Sequence, residues 1–217
     1  MKMMCTMLTS FNRAVVLLTI AMIITTWTCQ AQHTALDERV EKFLKDNRSN
    51  WRDLNIPYED GKVLFNLIIE GNYQSALEIG TSTGHSTIWI AWALSKTGGK
   101  LITIEIDESR HNEAIRNLTA AGLLDYVDAR LGNAHDLVKE LDGPFDFVFS
   151  DADKNWYLQY FKDLDPKLKK GGCFTAHNVR NSYGGIKEFL DYIQRLPGYE
   201  TTIDRTSSSG ISISYKK

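Results

Sequence analysis

The chain has 217 residues, 43% of them hydrophobic and 24% charged, with 25 Lys+Arg against 27 Asp+Glu. That balance is globular, and the length is enough to bury a core without disulfides or metal; a collagen, a disordered tail and a small disulfide scaffold are excluded. A net charge of −2 offers no uniform positive field for nucleic acid.

Lys2 and Arg13 are the only charges before Asp37, and the apolar run Ala14–Ile24 follows them. A positive start, a short apolar stretch and the small-residue approach Cys29-Gln30-Ala31 form the pattern of a cleaved export leader over 1–31. The run is short for a membrane span, so an uncleaved leader is the one membrane contact expected. Met1, Met3, Met4 and Met7 crowd this end, and a misassigned start codon would instead leave the protein cytoplasmic. Loss of 1–31 removes Lys2, Arg13, Cys5 and Cys29; the net charge becomes −4 and Cys173 is left without a disulfide partner.

Residues 32–217 read as one domain, with N-terminal helices over 32–72 and an α/β core over 73–217. Leu36, Val40, Phe43 and Leu44 recur at helical spacing, as do Val63, Leu64, Leu67 and Ile68. The rhythm then changes. Short apolar runs at Ser75–Ile79, Leu101–Ile106, Tyr126–Leu131, Phe145–Ser150 and Gly172–Ala176 alternate with amphipathic segments near 85–96, 108–122, 134–141, 155–169 and 185–195. This alternation predicts a mostly parallel sheet with helices on both faces. The period-two runs Tyr199–Ile203 and Ile211–Tyr215, around Ser207-Ser208-Ser209-Gly210, predict a closing antiparallel hairpin.

Glu78-Ile79-Gly80-Thr81-Ser82-Thr83-Gly84 joins the first strand to its helix. Its glycines permit a tight turn and close approach of a ligand to backbone, and ligands of such sheets sit at the carboxyl ends of the strands. Glu105, at the end of the next strand, is an acid suited to a ribose diol. The loop lacks the full dinucleotide glycine pattern and the P-loop pattern. It also matches a hydrolase nucleophile elbow, with Ser82 as nucleophile and Asp151 and His177 in the order of such a triad. The helical reading of 33–73 disfavours that, since the elbow fold needs strands first.

The fourth strand ends in Asp151-Ala152-Asp153-Lys154 and the fifth in His177-Asn178-Val179. Neighbouring parallel strands would bring Asp151 close to His177 and Asn178, half of a metal shell. Loop hydrogen bonding is the plain alternative for the acids and amides, and a solvated amine for Lys154.

From about Trp51 onward the chain resembles the class I S-adenosylmethionine-dependent O-methyltransferases, the family of the catechol and caffeoyl-CoA enzymes. The resemblance rests on the ordered set A-L-E-I-G-T-S-T-G-H-S, L-I-T-I-E-I-D, R-L-G-N-A, D-A-D-K-N-W-Y, G-G-C-F and H-N-V. It implies a Rossmann-like α/β fold and methyl transfer from S-adenosylmethionine to a hydroxyl of a small, catechol-like acceptor. By resemblance, Glu78, Gly80, Thr81 and Ser86 serve the methionine end of the cofactor, Glu105 the ribose and Ala134 the adenine. Asp153 meets the amino-acid portion, and Ile56 covers the cofactor through its backbone. Lys154 becomes the general base, with Asp151 beside it; Asp151, His177 and Asn178 become ligands of a divalent metal. A homodimer is implied too. The family has Asp-Asn where this chain has His177-Asn178, a change that alters or removes the metal. Lys62 and His85 also depart from the family's usual Gln and Tyr. An exported cofactor-binding module that has lost turnover is the alternative function.

Overall fold

The computed structural model describes residues 34–51, 53–180 and 183–217; the expected leader lies outside them. Five strands run parallel: β1 (Ser75–Ile79), β2 (Lys100–Glu105), β3 (Val127–Leu131), β4 (Phe145–Ser150) and β5 (Leu168–His177). Strands β6 (Tyr199–Asp204) and β7 (Ile211–Lys216) form the expected hairpin, with β7 antiparallel to β5. The order is β3-β2-β1-β4-β5-β7-β6. The chain therefore steps outward from β1 through β2 to β3, then returns to lay β4 on the other side of β1. This reversal opens a crevice past the ends of β1 and β4, the place where such sheets take ligands.

The central strands are apolar on both faces because both faces are covered. Leu77 and Val148 pack under helices α5 (Ala134–Glu140), α6 (Tyr157–Leu164) and α7 (Ile186–Ile193). Ala76, Phe147 and Phe149 point the other way, toward α2 (Tyr58–Gly71) and α3 (His85–Thr97). The helix at 34–46, α1, adds Val40 and Leu44 to a third cluster with α3 and with α4 (Glu108–Ala121). Among the described residues no helix is long and apolar enough to cross a membrane.

Helix starts follow local chemistry. Asp107 caps α4 by accepting from the Arg110 N–H at 2.9 Å, and Asn133 caps α5 by accepting from His135 N–H at 3.0 Å. The predicted helix over 155–169 is shorter than expected. Pro166 lies in a 3₁₀ turn (Asp165–Lys167), and Leu168 already pairs with Phe145, so β5 begins where the helical pattern seemed to continue. Tyr126 likewise ends a 3₁₀ turn rather than opening β3.

Gly61 explains how closely α2 approaches α3. A Cβ there would stand 2.2 Å from Cδ1 of Trp89. Gly61→Ala is expected to destabilise the protein by roughly 1–3 kcal/mol through overpacking, read as a lower midpoint in urea unfolding.

Candidate active site

The crevice is a cleft of about 620 Å³, and residues at the ends of all five parallel strands line it: Gly80, Glu105, Gly132, Asp151 and His177. Gly80 turns with φ +99°, and a Cβ on it would come within 2.9 Å of the Asp151 carbonyl. A side chain here would force apart the two loops that flank the reversal. Glu105 is held by three backbone donors: Ser82 N–H at 2.7 Å on Oε2, and Ile106 and Asp107 N–H at 3.0 and 2.9 Å on Oε1. A carboxylate has about four lone-pair sites, so acceptor capacity remains toward the cleft. Ala134 opens α5 on the same wall.

Glu78, Thr81 and Ser86, expected at the cofactor, are buried and are not part of the cleft wall. Glu78 Oε2 accepts from Thr87 and Thr103 hydroxyls, each at 2.6 Å, while its Oε1 has no hydrogen-bond partner. Burial pushes this carboxyl up to about 7. Asp153 lines the cleft, accepts from Asn155 N–H at 3.0 Å and lies 3.5 Å from His135 Nε2. The His135 ring stacks on Trp156 with centroids 3.6 Å apart, a platform at the cleft that sequence reasoning missed.

A strap over 53–56 crosses the front of the glycine loop. The Asp53 carbonyl accepts from Ser82 Oγ at 2.5 Å, and its carboxylate pairs with Arg110 at 2.9 Å. Asn55 donates to Thr83 Oγ1 at 2.8 Å. Ile56 is buried, and its carbonyl accepts from His85 Nδ1 at 2.9 Å; Leu54 and Asn55 are the strap residues that face the cleft. Ser82 is thus spent on the strap and has no imidazole partner, which removes the hydrolase alternative. Lys62 lies away from the cleft, its ammonium 5.2 Å from the centre of the Tyr58 ring.

His85 is a latch rather than a wall of the cleft. Its Nδ1–H donates to Ile56, its Nε2 accepts from Trp89 Nε1 at 3.2 Å, and Trp51 stacks on it at 4.5 Å. This pair of bonds fixes one neutral tautomer. Burial lowers the pKa from 6.5 to about 4, against a smaller upward pull from the Ile56 carbonyl. With the folded value depressed, the stabilisation is full above pH 6.5 and is lost as pH falls toward 4. The loss should reach about 3 kcal/mol. Urea unfolding across that range is expected to show a shallower acid loss for His85→Asn than for the unsubstituted protein.

The second half of the site lies past β4 and β5. Asp151 Oδ1 pairs with the Lys154 ammonium, and Asp151 Oδ2 accepts from His177 Nδ1 at 3.0 Å. Burial works against the charge of Asp151, but the His177 and Lys154 cations outweigh it and hold its pKa low. His177 Nε2 lies 2.7 Å from Oδ2 of Asp60, which also accepts from Ser207 Oγ at 2.8 Å. Asp60 is fully buried in the first turn of α2. Burial disfavours the imidazolium, yet the two carboxylates prevail and raise the His177 pKa to about 9. Asn178 (φ 60°) follows on the cleft wall.

The expected metal trio is therefore brought together, but not as a coordination shell. Both His177 nitrogens are directed at carboxylates, and no group of three or more His, Cys, Asp or Glu among the described residues is arranged to hold a metal ion. Asp60 was not anticipated. Its signal was present: an acid in register with Leu64, Leu67 and Ile68 on the buried stripe of α2.

The profile of the O-methyltransferase family matches residues 27–188. A catechol O-methyltransferase of Niastella koreensis is 40% identical over 130 residues, which span 58% of each chain. Caffeoyl-CoA O-methyltransferase 1 of Eucalyptus globulus is 33% identical over 134 residues, 59% of this chain and 54% of that one. The matches thus span little more than half the length of these relatives. The crystal structure of an O-methyltransferase from Bacillus cereus, in complex with SAH, superposes with a TM-score of 0.72 at 30% identity, covering 83% of this chain and 91% of that chain. Profile, relatives and sheet order agree: the chain belongs to the O-methyltransferase family.

Proposed function

We propose that this protein transfers a methyl group from S-adenosylmethionine to a hydroxyl of a small, catechol-like acceptor. The observation that carries the reading is one cleft that gathers Gly80, Glu105 and Ala134 together with Asp151 and Lys154. Glu105 and Gly80 fit the cofactor. Glu105 keeps acceptor capacity for a ribose diol, and Gly80 presents backbone rather than a side chain to the cleft. When bound, the cofactor supplies a methyl group on a positively charged sulfur.

The chain's own task is then to orient the acceptor and manage one proton. Leu54, Ile106 and Tyr183 are exposed large apolar side chains, and all three rim the cleft. Such a rim suits an aromatic acceptor and sheds water as it binds. Lys154, after its ammonium has released a proton to solvent, takes the phenolic proton, and Asp151 fixes the position of its nitrogen. Holding the resulting oxyanion in line with the methyl group supplies much of the acceleration. The donor set around His177 does not fit a divalent metal, because carboxylates already engage both ring nitrogens.

The test is direct. Purified protein, S-adenosylmethionine and catechol should yield a methyl ether and S-adenosylhomocysteine, quantified by mass spectrometry. Cofactor binding without product across a panel of phenols would favour the turnover-free binding module. Failure of S-adenosylhomocysteine to bind would end the reading.

A further inference from the structure

We propose that His177 stands in this protein where a divalent cation would otherwise be needed, and that the acceptor half of the cleft works without metal because the chain carries its own buried cation. Three elements converge to build it: α2 through Asp60, the end of β4 through Asp151, and the end of β5 through His177. The side chains of His177, Asp60 and Asp151 are 3%, 0% and 11% exposed. Carboxylate oxygens accept, so the contacts of 2.7 and 3.0 Å require both ring nitrogens to donate. Metal binding by histidine needs a free nitrogen lone pair, and none is left.

Charge balance points the same way. Asp60 and Asp151 are two anions; His177 and Lys154 are two cations in contact with them. A divalent ion entering here would have to expel a proton and break at least one buried ion pair. Asp60 has no contact with the cleft itself, so it is a positioning residue: it holds the ring whose other side orients Asp151, which in turn holds Lys154. Ser207, from the loop between β6 and β7, ties Asp60 in place.

The inference deepens the acceptor end of the proposed methyltransferase and rests on that reading only for its activity arm. The experiment uses the whole protein after treatment with EDTA. Titration with Mn²⁺, followed by its electron paramagnetic resonance signal, is expected to show no stoichiometric uptake at micromolar concentration. The ¹⁵N–¹H spectrum of the imidazoles should show His177 protonated on both nitrogens, unchanged by Mg²⁺. Methyl transfer should be the same with EDTA as with Mg²⁺. H177D, which puts a carboxylate beside Asp151 and Asn178, is expected to gain Mn²⁺ affinity at least tenfold. In D60N the doubly protonated ring signal should be lost and kcat should fall more than tenfold, with affinity for S-adenosylhomocysteine kept. One Mn²⁺ taken up by the unsubstituted protein with loss of that ring signal overturns the proposal, as does a folded H177D with no gain in affinity. Failure of S-adenosylhomocysteine to bind would sink the methyltransferase reading, while the manganese and imidazole signals would still decide this one.

Discussion

Lys154→Met is expected to lower methyl transfer by roughly 10²–10⁴-fold, the usual worth of a positioned acid or base, while affinity for S-adenosylhomocysteine stays within about twofold. The substitution keeps an unbranched side chain of similar length, so the packing beside Tyr157, whose ring centre lies 5.1 Å from the Lys154 nitrogen, changes little. It removes one of two cationic partners of Asp151 and leaves His177 as the other. The fold is therefore expected to survive with a modest loss of stability. Lys154→Arg separates two roles that the structure allows for the amine. An arginine stays charged and cannot accept a proton in a protein. If the variant recovers most of the activity, Lys154 serves as a fixed positive charge for the phenolate; if it is as inactive as the methionine variant, proton acceptance is the role. Turnover kinetics alongside calorimetric titration of S-adenosylhomocysteine decide between these results. Activity of Lys154→Met within tenfold of the unsubstituted protein would remove Lys154 from the chemistry.

Most of the architecture was legible because each central strand is apolar on both faces and is bounded by Gly or Asp. Ser75–Ile79 and Phe145–Ser150 were read with the bounds the structure gives them. The error near 155–169 arose where local pattern and tertiary pairing disagree: Leu168 and Lys169 continue the helical segment in sequence, but Leu168 is claimed by Phe145 of β4. The site was legible in a more limited way. Gly80, Glu105, Asp151, His177 and Asn178 reach the cleft because each ends or directly follows a parallel strand, and Lys154 reaches it from the 3₁₀ turn after β4. Glu78, Thr81 and Ser86 lie in or beside the turn after β1 but are buried away from the cleft, and nothing in residue type distinguishes the two placements. The Asp60–His177 contact joins positions 117 apart, so spacing could not reveal it. Its effect is large, because it changes His177 from a metal ligand by expectation into a ring with both nitrogens engaged.

Glu105→Gln is expected to weaken binding of S-adenosylhomocysteine by about 10–100-fold, which corresponds to the roughly 1.5–3 kcal/mol of a hydrogen bond to a charged acceptor. The isosteric amide preserves volume and one acceptor oxygen. It cannot serve Ser82 N–H on one side and Ile106 and Asp107 N–H on the other, because its NH₂ group must face one of these donors. The loop after β1 and the turn after β2 are joined through this carboxylate, so some loss of stability without ligand should accompany the change. Two measurements keep these effects apart. Urea unfolding of the free protein reports the loss of the loop-to-turn bridge, and calorimetric titration at a temperature where both proteins are folded reports the loss of ribose recognition. Glu105 is the group that reads the ribose if affinity falls by more than an order of magnitude for S-adenosylhomocysteine and little for a 2′,3′-dideoxy analogue that lacks the diol. Equal losses for both ligands would instead mean that the carboxylate only shapes the loop, and the diol would then have to be held by some other group on the cleft wall.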